Sequence, residues 1–328
     1  MTLDDADRKI LDGVQRDFPL ESRPFAALAE RIGSTEGEVL ERIRRLTLDG
    51  IIREVGPVFD LKRLGHTSTL CAAQAAPDCV ENVAGFINAF PEVTHNYQRD
   101  HAFNIWFTLI ASSPERIDAI LERIRIVPSV LKVMSLPAQR TFKIDVFFRT
   151  SKGGTADNER REHRPSEEPP TERLTSEDKR LVRVLSEAMP LTERPFAEIA
   201  RQAGVSEDAA IERVREWVSS GVIRRFGARV DHRAVGYRAN GMSVWKVPAD
   251  RAETAGSLMA RQPEVSHCYL RALRPGWEYN LYAMIHGQTE DEVRAVAERM
   301  AGETGLRDYA VIFSSREFKK SAPRYFCE

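Results

Sequence analysis

The chain has 328 residues, 42% of them hydrophobic, so it can bury several cores, and its length alone predicts two to four domains. Its formal charge of -1 shows none of the basic excess that is typical of nucleic-acid-binding proteins. No apolar run approaches the roughly 20 residues of a membrane helix, and the start MTLDDADRK lacks the apolar core of a secretory signal. We therefore expect a cytoplasmic protein without membrane association. The four cysteines show no CxxC spacing, so nothing indicates a zinc or iron-sulfur site.

The chain contains one pattern twice, at an offset of 171 residues. The matched pairs are Pro24 and Pro195, Gly33 and Gly204, Gly50 and Gly221, Gly56 and Gly227, Asp60 and Asp231, and Gly65 and Gly236. Two related modules in one chain can face each other as an internal dimer, so a site at their junction is lined by similar residues from each half.

Each half opens with three short amphipathic helices. Their apolar positions at helical spacing are Ile10, Leu11, Val14, Phe25, Leu28, Ile32, Val39, Ile43 and Leu46, and then Leu181, Val182, Leu185, Phe196, Ile199, Ala203, Ala210, Val214 and Trp217. Gly33 and Gly204 separate the second and third helices, and Thr35 with Glu38 predicts a capping box. The segments GIIREVGPVFD and GVIRRFGARVD then predict β wings, so residues 1–60 and 174–231 are expected to form winged helix-turn-helix domains.

The rest of each half predicts strand, helix, strand, strand, helix, strand. These segments are 67–75, 79–89, 93–98, 103–111, 114–125 and 130–148, and then 240–247, 249–261, 265–270, 279–286, 289–302 and 308–314. The order is that of an α+β, ferredoxin-like fold, expected over 61–150 and 232–328. The helices of this fold cover one face of the sheet, and the partner repeat can cover the other. The polar segment 151–173 is predicted to be a flexible linker.

A duplicated triplet lies on the second strand of each half. His95, Tyr97 and Arg99 in THNYQRD return as His267, Tyr269 and Arg271 in SHCYLRA. Because side chains on a strand alternate between faces, each triplet places a titratable ring, a phenol and a cation on one side of its sheet. A single such histidine is usually structural, and the duplication leaves a functional and a structural role equally open.

The architecture and several long segments resemble a known family. The segments are VTHNYQRDHAFNIWFTL, LPAQRTFKIDVFF, VSHCYLR, WEYNLYAMIHG and SREFKKSAPRYF. A winged helix-turn-helix followed by a ferredoxin-like sheet is similar to the Lrp/AsnC regulators, and within them the chain most resembles siroheme decarboxylases of the fused two-subunit type. The resemblance covers both halves and implies decarboxylation of two acetate side chains of siroheme, giving didecarboxysiroheme for heme d1 or alternative heme biosynthesis.

An Lrp/AsnC-type transcription regulator or a tetrapyrrole-binding sensor remains the alternative. Carboxylates occupy the part of each recognition helix that would face DNA bases, namely Glu36, Glu38 and Glu41, and Glu207, Asp208 and Glu212. Since these side chains repel phosphate, the sequence disfavours specific DNA binding. Two fused chains can still pair again through their helical modules, so a homodimer stays open.

The resemblance assigns roles to named residues. His95 and His267 are expected to supply the protons that convert each acetate to a methyl group. Tyr97 and Tyr269 are the further catalytic candidates, as hydrogen-bond orienters or secondary proton donors. Eight carboxylates on the substrate rim call for cations, and Arg99, Arg271, Arg53 and Arg224 are the first candidates, with Asn104 and Asn280 also in the substrate pocket. Aromatic walls are expected from Trp106, Trp277, Phe107, Trp245, Tyr279 and Tyr282.

His101 has no histidine counterpart in the second half, where Trp277 occupies the equivalent hairpin position. We expect His101 to be the axial ligand of the substrate iron, since imidazole nitrogen binds iron well. His66 and His286 rank lower because neither belongs to the duplicated triplet. The chain shows no glycine-rich nucleotide fingerprint, and no cofactor is expected beyond the iron of the substrate.

Overall fold

The computed structural model describes residues 3–16, 18–144, 174–231 and 239–326. The predicted linker, 151–173, lies outside the described residues. In the part of the chain that is described, no helix is both long enough and apolar enough to span a bilayer. The described residues form two compact units: one holds 3–64, 174–231 and 324–326, and the other holds 65–144 and 239–323. Like domains of the two repeats thus fall in the same unit.

The two repeats have the same order of elements. The first contains α1 (Asp5–Arg16), α2 (Pro24–Ile32), α3 (Glu36–Leu48), β1 (Ile52–Phe59), β2 (Thr67–Ala75), α4 (Val80–Asn88), β3 (Val93–Arg99), β4 (Ile105–Ala111), α5 (Pro114–Arg125) and β5 (Val130–Ile144). The second contains α6 (Ser176–Leu185), α7 (Pro195–Ala203), α8 (Glu207–Ser220), β6 (Ile223–Val230), β7 (Ala239–Trp245), α9 (Ala252–Arg261), β8 (Val265–Arg271), β9 (Leu281–Gly287), α10 (Glu290–Thr304) and β10 (Tyr309–Lys320). The predicted helices, wings and βαββαβ order are confirmed.

The first unit is built from the six short helices and the two wings. Helices α2 and α7 end at Gly33 and Gly204, whose φ values of 72° and 73° suit glycine. The Thr35 hydroxyl accepts from the Glu38 backbone N–H at 3.3 Å, as the capping box predicts. The Glu38 carboxylate, however, accepts from Ser34 and Arg42 instead, so the box is only half formed.

The wings of the two repeats pair with each other. Strands β1 and β6 form a two-stranded antiparallel sheet in which Gly56 lies opposite Gly227. The repeat-equivalent glycines therefore sit at the centre of the pairing, as a local twofold relation between the modules requires. The internal dimer that the duplication predicts is present in this unit.

The second unit is a closed barrel of eight strands in the order β10-β3-β4-β2-β5-β8-β9-β7. Within each repeat four strands follow the ferredoxin-like order, and the long strands β5 and β10 close the barrel. The first part of β5 pairs with β2 and its second part with β8. In the same way β10 pairs first with β7 and then with β3. Each sheet face left bare by its own helices thus faces the barrel interior.

Each helix pair covers the outer face of its own half of the barrel. One outer core includes Val83, Ile87 and Phe107 with α4 and α5, and the other includes Trp245 and Met259 with α9 and α10. The prediction that Phe107 and Trp245 line the pocket is therefore wrong. Strand alternation turns both rings towards the helices, where burial among aliphatic side chains stabilises the layers.

Candidate functional site

The first triplet points into the barrel. Its neighbour Asn96 faces the opposite way, since its amide donates to Asn88 of α4 at 2.9 Å. His95 and Tyr97 are half-buried, with ring centroids 6.3 Å apart. The Arg99 guanidinium lies 5.9 Å from the centre of the Tyr97 ring. The alternation predicted from the sequence therefore brings the three side chains together on the interior face.

The second triplet repeats this arrangement on β8. Cys268 faces the helices, where its thiol contacts the Gly256 carbonyl, and burial raises its pKa to about 12. His267 and Tyr269 stack with ring centroids 6.1 Å apart. The Arg271 guanidinium lies 4.7 Å from the centre of the Tyr269 ring. The second triplet thus resembles the first, with its arginine closer to the tyrosine ring.

The barrel topology sets the relation between the triplets. Every neighbouring pair of strands is antiparallel, and β3 and β8 are four strands apart in a ring of eight. They therefore lie on opposite walls and run in the same direction. His95 and His267 consequently face the same end of the interior, whereas Arg99 and Arg271 lie nearer the other end. An eight-stranded barrel has room inside for side chains or for one small ligand.

The two interior arginines carry charge without a carboxylate partner among the described residues. Arg99 is 5% exposed and donates from Nη1 to the Ile312 carbonyl at 2.7 Å. Arg271 donates from Nη1 to the Leu136 carbonyl at 2.7 Å. The Nε atom of each is buried, and no hydrogen-bond acceptor for it lies within the described part of the chain. Burial lowers the pKa of Arg99 to about 10 and also lowers that of Arg271. Both stay charged at neutral pH, so the interior attracts anions.

The side chains of Asn104 and Asn280 bind backbone groups at the end of β2 and just beyond the end of β7. The Asn104 side chain accepts from the Ala75 N–H and donates to the Ala75 carbonyl, both at 2.9 Å. Asn280 does the same with Val247, at 2.9 and 2.8 Å. Because these backbone contacts engage both ends of each amide, the structure gives the two residues a structural role. Their predicted contact with a substrate stays a prediction.

Trp106 and Trp277 belong to an aromatic cluster at the arginine end of the barrel. The cluster consists of Phe103, Trp106, Trp277, Tyr279 and Tyr282. The two indole rings are 5.3 Å apart, and their N–H groups donate to the Phe103 carbonyl and the Tyr282 hydroxyl. The cluster closes this end with apolar surface. A cavity of about 270 Å³ beside it is lined by Phe103, Met134 and Pro275, not by the triplets.

His101 lies against the aromatic cluster, 5.3 Å from the Trp277 ring. Its Nδ1 accepts from the Phe103 backbone N–H at 3.0 Å, and burial lowers its pKa. The neutral ring therefore carries its proton on Nε2. Ligation of iron by Nε2 requires that proton to move and the Phe103 hydrogen bond to break. The assignment of His101 as axial ligand therefore stays a prediction, and it includes both of these changes.

Arg53 and Arg224 lie in the unit of helices and wings, where each pairs with a carboxylate of the other repeat. Arg53 Nε donates to Asp231 at 3.0 Å, and Arg224 Nε donates to Asp60 at 3.0 Å. Burial by itself raises the pKa of Asp60, but the charge and hydrogen bonds of Arg224 outweigh it and hold the pKa below its usual range. These pairs join the wings, and the predicted substrate contacts of both arginines stay predictions.

A hydroxyl beside each triplet histidine was missed by the sequence analysis. The Thr94 hydroxyl lies 3.0 Å from Nδ1 of His95, and the Ser266 hydroxyl lies 2.8 Å from Nδ1 of His267. In both repeats the hydroxyl therefore contacts the same ring atom, Nδ1. The signal was present as the repeated dipeptides Thr-His and Ser-His, which precede the tyrosines.

Comparisons with known proteins follow the two-unit division. A family model described as an AsnC-like ligand binding domain matches 63–143 and 234–319, and one described as a siroheme decarboxylase NirDL-like HTH domain matches 7–53 and 178–224. A siroheme decarboxylase of Hydrogenobacter thermophilus is 40% identical over 98% of this chain and 95% of its own length. The chain belongs to the siroheme decarboxylase family. The resemblance predicted from the sequence is confirmed.

Two further relatives define the type within the siroheme decarboxylase family. The crystal structure of the siroheme decarboxylase NirDL in co-complex with an iron-uroporphyrin III analogue matches with a TM-score of 0.72 at 37% identity, covering 99% of this chain and 95% of that one. The siroheme decarboxylase beta subunit of Methanosarcina barkeri is 44% identical over 45% of this chain and 97% of its own length. One half of the chain thus corresponds to a separate subunit, which confirms the fused type and the two-repeat α+β fold.

Proposed function

We propose that this chain decarboxylates siroheme, converting two acetate side chains to methyl groups and giving didecarboxysiroheme for heme d1 or alternative heme biosynthesis. The observation that carries the proposal is the pair of interior arginines without carboxylate partners among the described residues, beside two histidine-tyrosine pairs. Family membership supports the substrate class.

Arg99 and Arg271 bind substrate carboxylates in this proposal. A carboxylate that reaches a buried guanidinium supplies both the missing countercharge and an acceptor for Nε, and each charge-assisted contact contributes about 1.5–3 kcal/mol. The aromatic cluster of Phe103, Trp106, Trp277, Tyr279 and Tyr282 provides apolar surface for the macrocycle. Because the arginines lie on opposite walls, they contact different edges of one flat ligand.

His95 and His267 each serve one acetate. The bond between the acetate methylene carbon and its carboxylate breaks, carbon dioxide leaves, and the electron pair stays on the carbon and spreads into the conjugated ring. A proton from Nε2 of the histidine completes the methyl group. Tyr97 and Tyr269 lie beside these rings, with ring centroids 6.3 and 6.1 Å away, and hold their orientation. The chemistry requires no cofactor beyond the substrate iron, for which His101 is the proposed axial ligand. The enzyme is thus a carboxy-lyase in class.

Specific DNA binding is not part of the proposed function. Arg42 and Arg45 of α3 form ion pairs with the buried Asp7. Arg23 pairs with Glu36 at the start of the same helix. These contacts direct the basic groups to carboxylates of their own module, which supports a scaffold role for the helix-turn-helix. A cytoplasmic location and a pairing of two chains through the helical modules complete the proposal.

The test is anaerobic incubation with siroheme, read by mass spectrometry. We expect a product lighter by two carbon dioxide units, and binding without loss of mass would instead support the tetrapyrrole sensor. The double variant His95→Ala, His267→Ala should retain binding and lose turnover. Full turnover by that variant would refute the proton-donor assignment. Retention of DNA in a low-salt gel shift would support the alternative of a transcription regulator.

A further inference from the structure

The two repeats differ in the contacts of the hydroxyl residue that precedes the triplet histidine. In the second repeat the Ser266 hydroxyl lies within hydrogen-bonding distance of two imidazoles, His267 Nδ1 at 2.8 Å and His286 Nε2 at 2.7 Å. Ser266 is 6% exposed and His286 is 8% exposed. His267 itself is only half-buried. A buried histidine is therefore linked through one hydroxyl to the ring that faces the barrel interior.

The first repeat lacks this link. The position equivalent to His286 is Ile110, since both lie six residues beyond the paired Asn280 and Asn104. The backbone confirms the match: the His286 N–H donates to the Glu264 carbonyl and the Ile110 N–H donates to the Glu92 carbonyl, both at 2.9 Å. Thr94 contacts His95 in that repeat, but an aliphatic side chain stands where the second imidazole would be.

A serine hydroxyl has a single proton to donate, so the protons of the two rings are coupled. If Ser266 donates to His267 Nδ1, the neutral His267 carries its own proton on Nε2, and His286 Nε2–H donates to Ser266. If Ser266 donates to His286 instead, Nδ1–H of His267 donates to the hydroxyl and Nε2 is bare. Only the first arrangement lets the neutral His267 deliver a proton from Nε2 to a substrate carbon.

The geometry points to His286 as a positioning residue that holds His267 in its donating form and returns a proton to His267 Nδ1 through Ser266 once Nε2 has donated. The step starts with one extra proton on His286, so that the two imidazoles together carry a single positive charge. Nε2 of His267 gives its proton to the methylene carbon as that carbon takes up the electron pair. The Ser266 proton moves to His267 Nδ1, and the His286 Nε2 proton moves to Ser266. One proton leaves the pair, which becomes neutral, and the serine ends unchanged. This inference rests on the proposed function and concerns only the acetate that His267 serves.

The test is single-turnover decarboxylation of siroheme by the full chain with His286→Gln. The glutamine amide can donate to Ser266 where Nε2 did, but it cannot pass a proton on. We expect the loss served by His267 to slow on the order of 10²-fold, the lower end of general-acid effects, while the other loss keeps its rate. A species lighter by one carbon dioxide unit then accumulates. Ser266→Ala, which removes the bridge without touching His286, should accumulate the same species.

The matched control is Ile110→Val at the equivalent position of the first repeat, which should leave both losses at wild-type rates. A general defect in folding slows both losses together, so equal slowing of the two steps in His286→Gln and Ser266→Ala overturns the inference. Wild-type rates for both steps in either variant also overturn it. Failure of the proposed function is distinguishable, because the unmodified chain would then leave the mass of siroheme unchanged.

Discussion

Arg99 and Arg271 determine the charge of the barrel interior. Each guanidinium reaches from its own repeat to a backbone carbonyl of the other, Ile312 and Leu136. A buried charge without a countercharge is costly, and proteins retain one where a ligand supplies the partner. The cost at this site is consistent with a substrate rich in carboxylates.

Substitution of Arg99 by methionine separates binding from stability. We expect Arg99→Met to weaken siroheme binding by about tenfold or more, because one charge-assisted contact of about 1.5–3 kcal/mol is lost. The melting temperature should not fall, since removal of a desolvated charge offsets the lost hydrogen bond. Ligand titration and thermal melting measure the two effects. Arg294→Met on α10, where the arginine pairs with Glu290, is the control, and unchanged affinity in Arg99→Met would contradict the assignment.

His101 has a spectroscopic test. If its Nε2 ligates the substrate iron, His101→Ala should shift the absorption spectrum of the bound siroheme. The Phe103 hydrogen bond to Nδ1 opposes this role, because a neutral ring that ligates through Nε2 carries its proton on Nδ1. An unchanged spectrum in His101→Ala would show that His101 is not the iron ligand.

At the scale of elements, pairing between repeats decides where strands end. The last strand was predicted over 308–314 but runs over Tyr309–Lys320. Its first part pairs with β7 of the same repeat, and the residues beyond Phe313 pair with β3 of the other repeat. The polar segment SREFKK has no strong strand pattern of its own, and tertiary pairing overrides its weak propensity.

The wing sheet offers a matched pair of glycines. A Cβ added at Gly227 would come within 2.4 Å of the Val14 carbonyl, whereas one added at Gly56 would meet its nearest atom at 3.6 Å. We expect Gly227→Ala to lower the free energy of unfolding by about 1–3 kcal/mol, because the backbone of α1 must move. Gly56→Ala should change it little. Chemical denaturation of both variants checks this, and equal stability of the two would contradict the close approach.

At the scale of the molecule, strands of the two repeats join within each unit. The wings pair through β1 and β6, and the barrel closes through β3 with β10 and β5 with β8. Repeat-crossing ion pairs, Arg53 with Asp231 and Arg224 with Asp60, add to the wing pairing. The covalent connection between the repeats is therefore not what holds either unit together.

A chain cut inside 151–173 should stay assembled. With a protease site engineered there, we expect the two fragments to elute together in size-exclusion chromatography and to retain siroheme conversion, because the strand pairs between repeats are intact. The uncut chain is the control. Separation of the fragments without denaturant would show that the connection is needed.

The sequence by itself determined the duplication, the order of elements and the triplets. Side-chain direction on a strand follows a local period of two, so the common face of His95, Tyr97 and Arg99 could be read without knowing any partner. The same local rule predicted the second triplet on β8.

Only the tertiary structure decided which candidate side chains are engaged in hydrogen bonds or ion pairs with other residues. Asn104 is engaged by Ala75, Arg53 by Asp231, and Ser266 links His267 to His286. Each contact joins residues on different strands or repeats, and its existence depends on long-range register. Register follows from the closing of the barrel and the pairing of the wings, which no local pattern specifies, because the free energy that selects it comes from burying both repeats together.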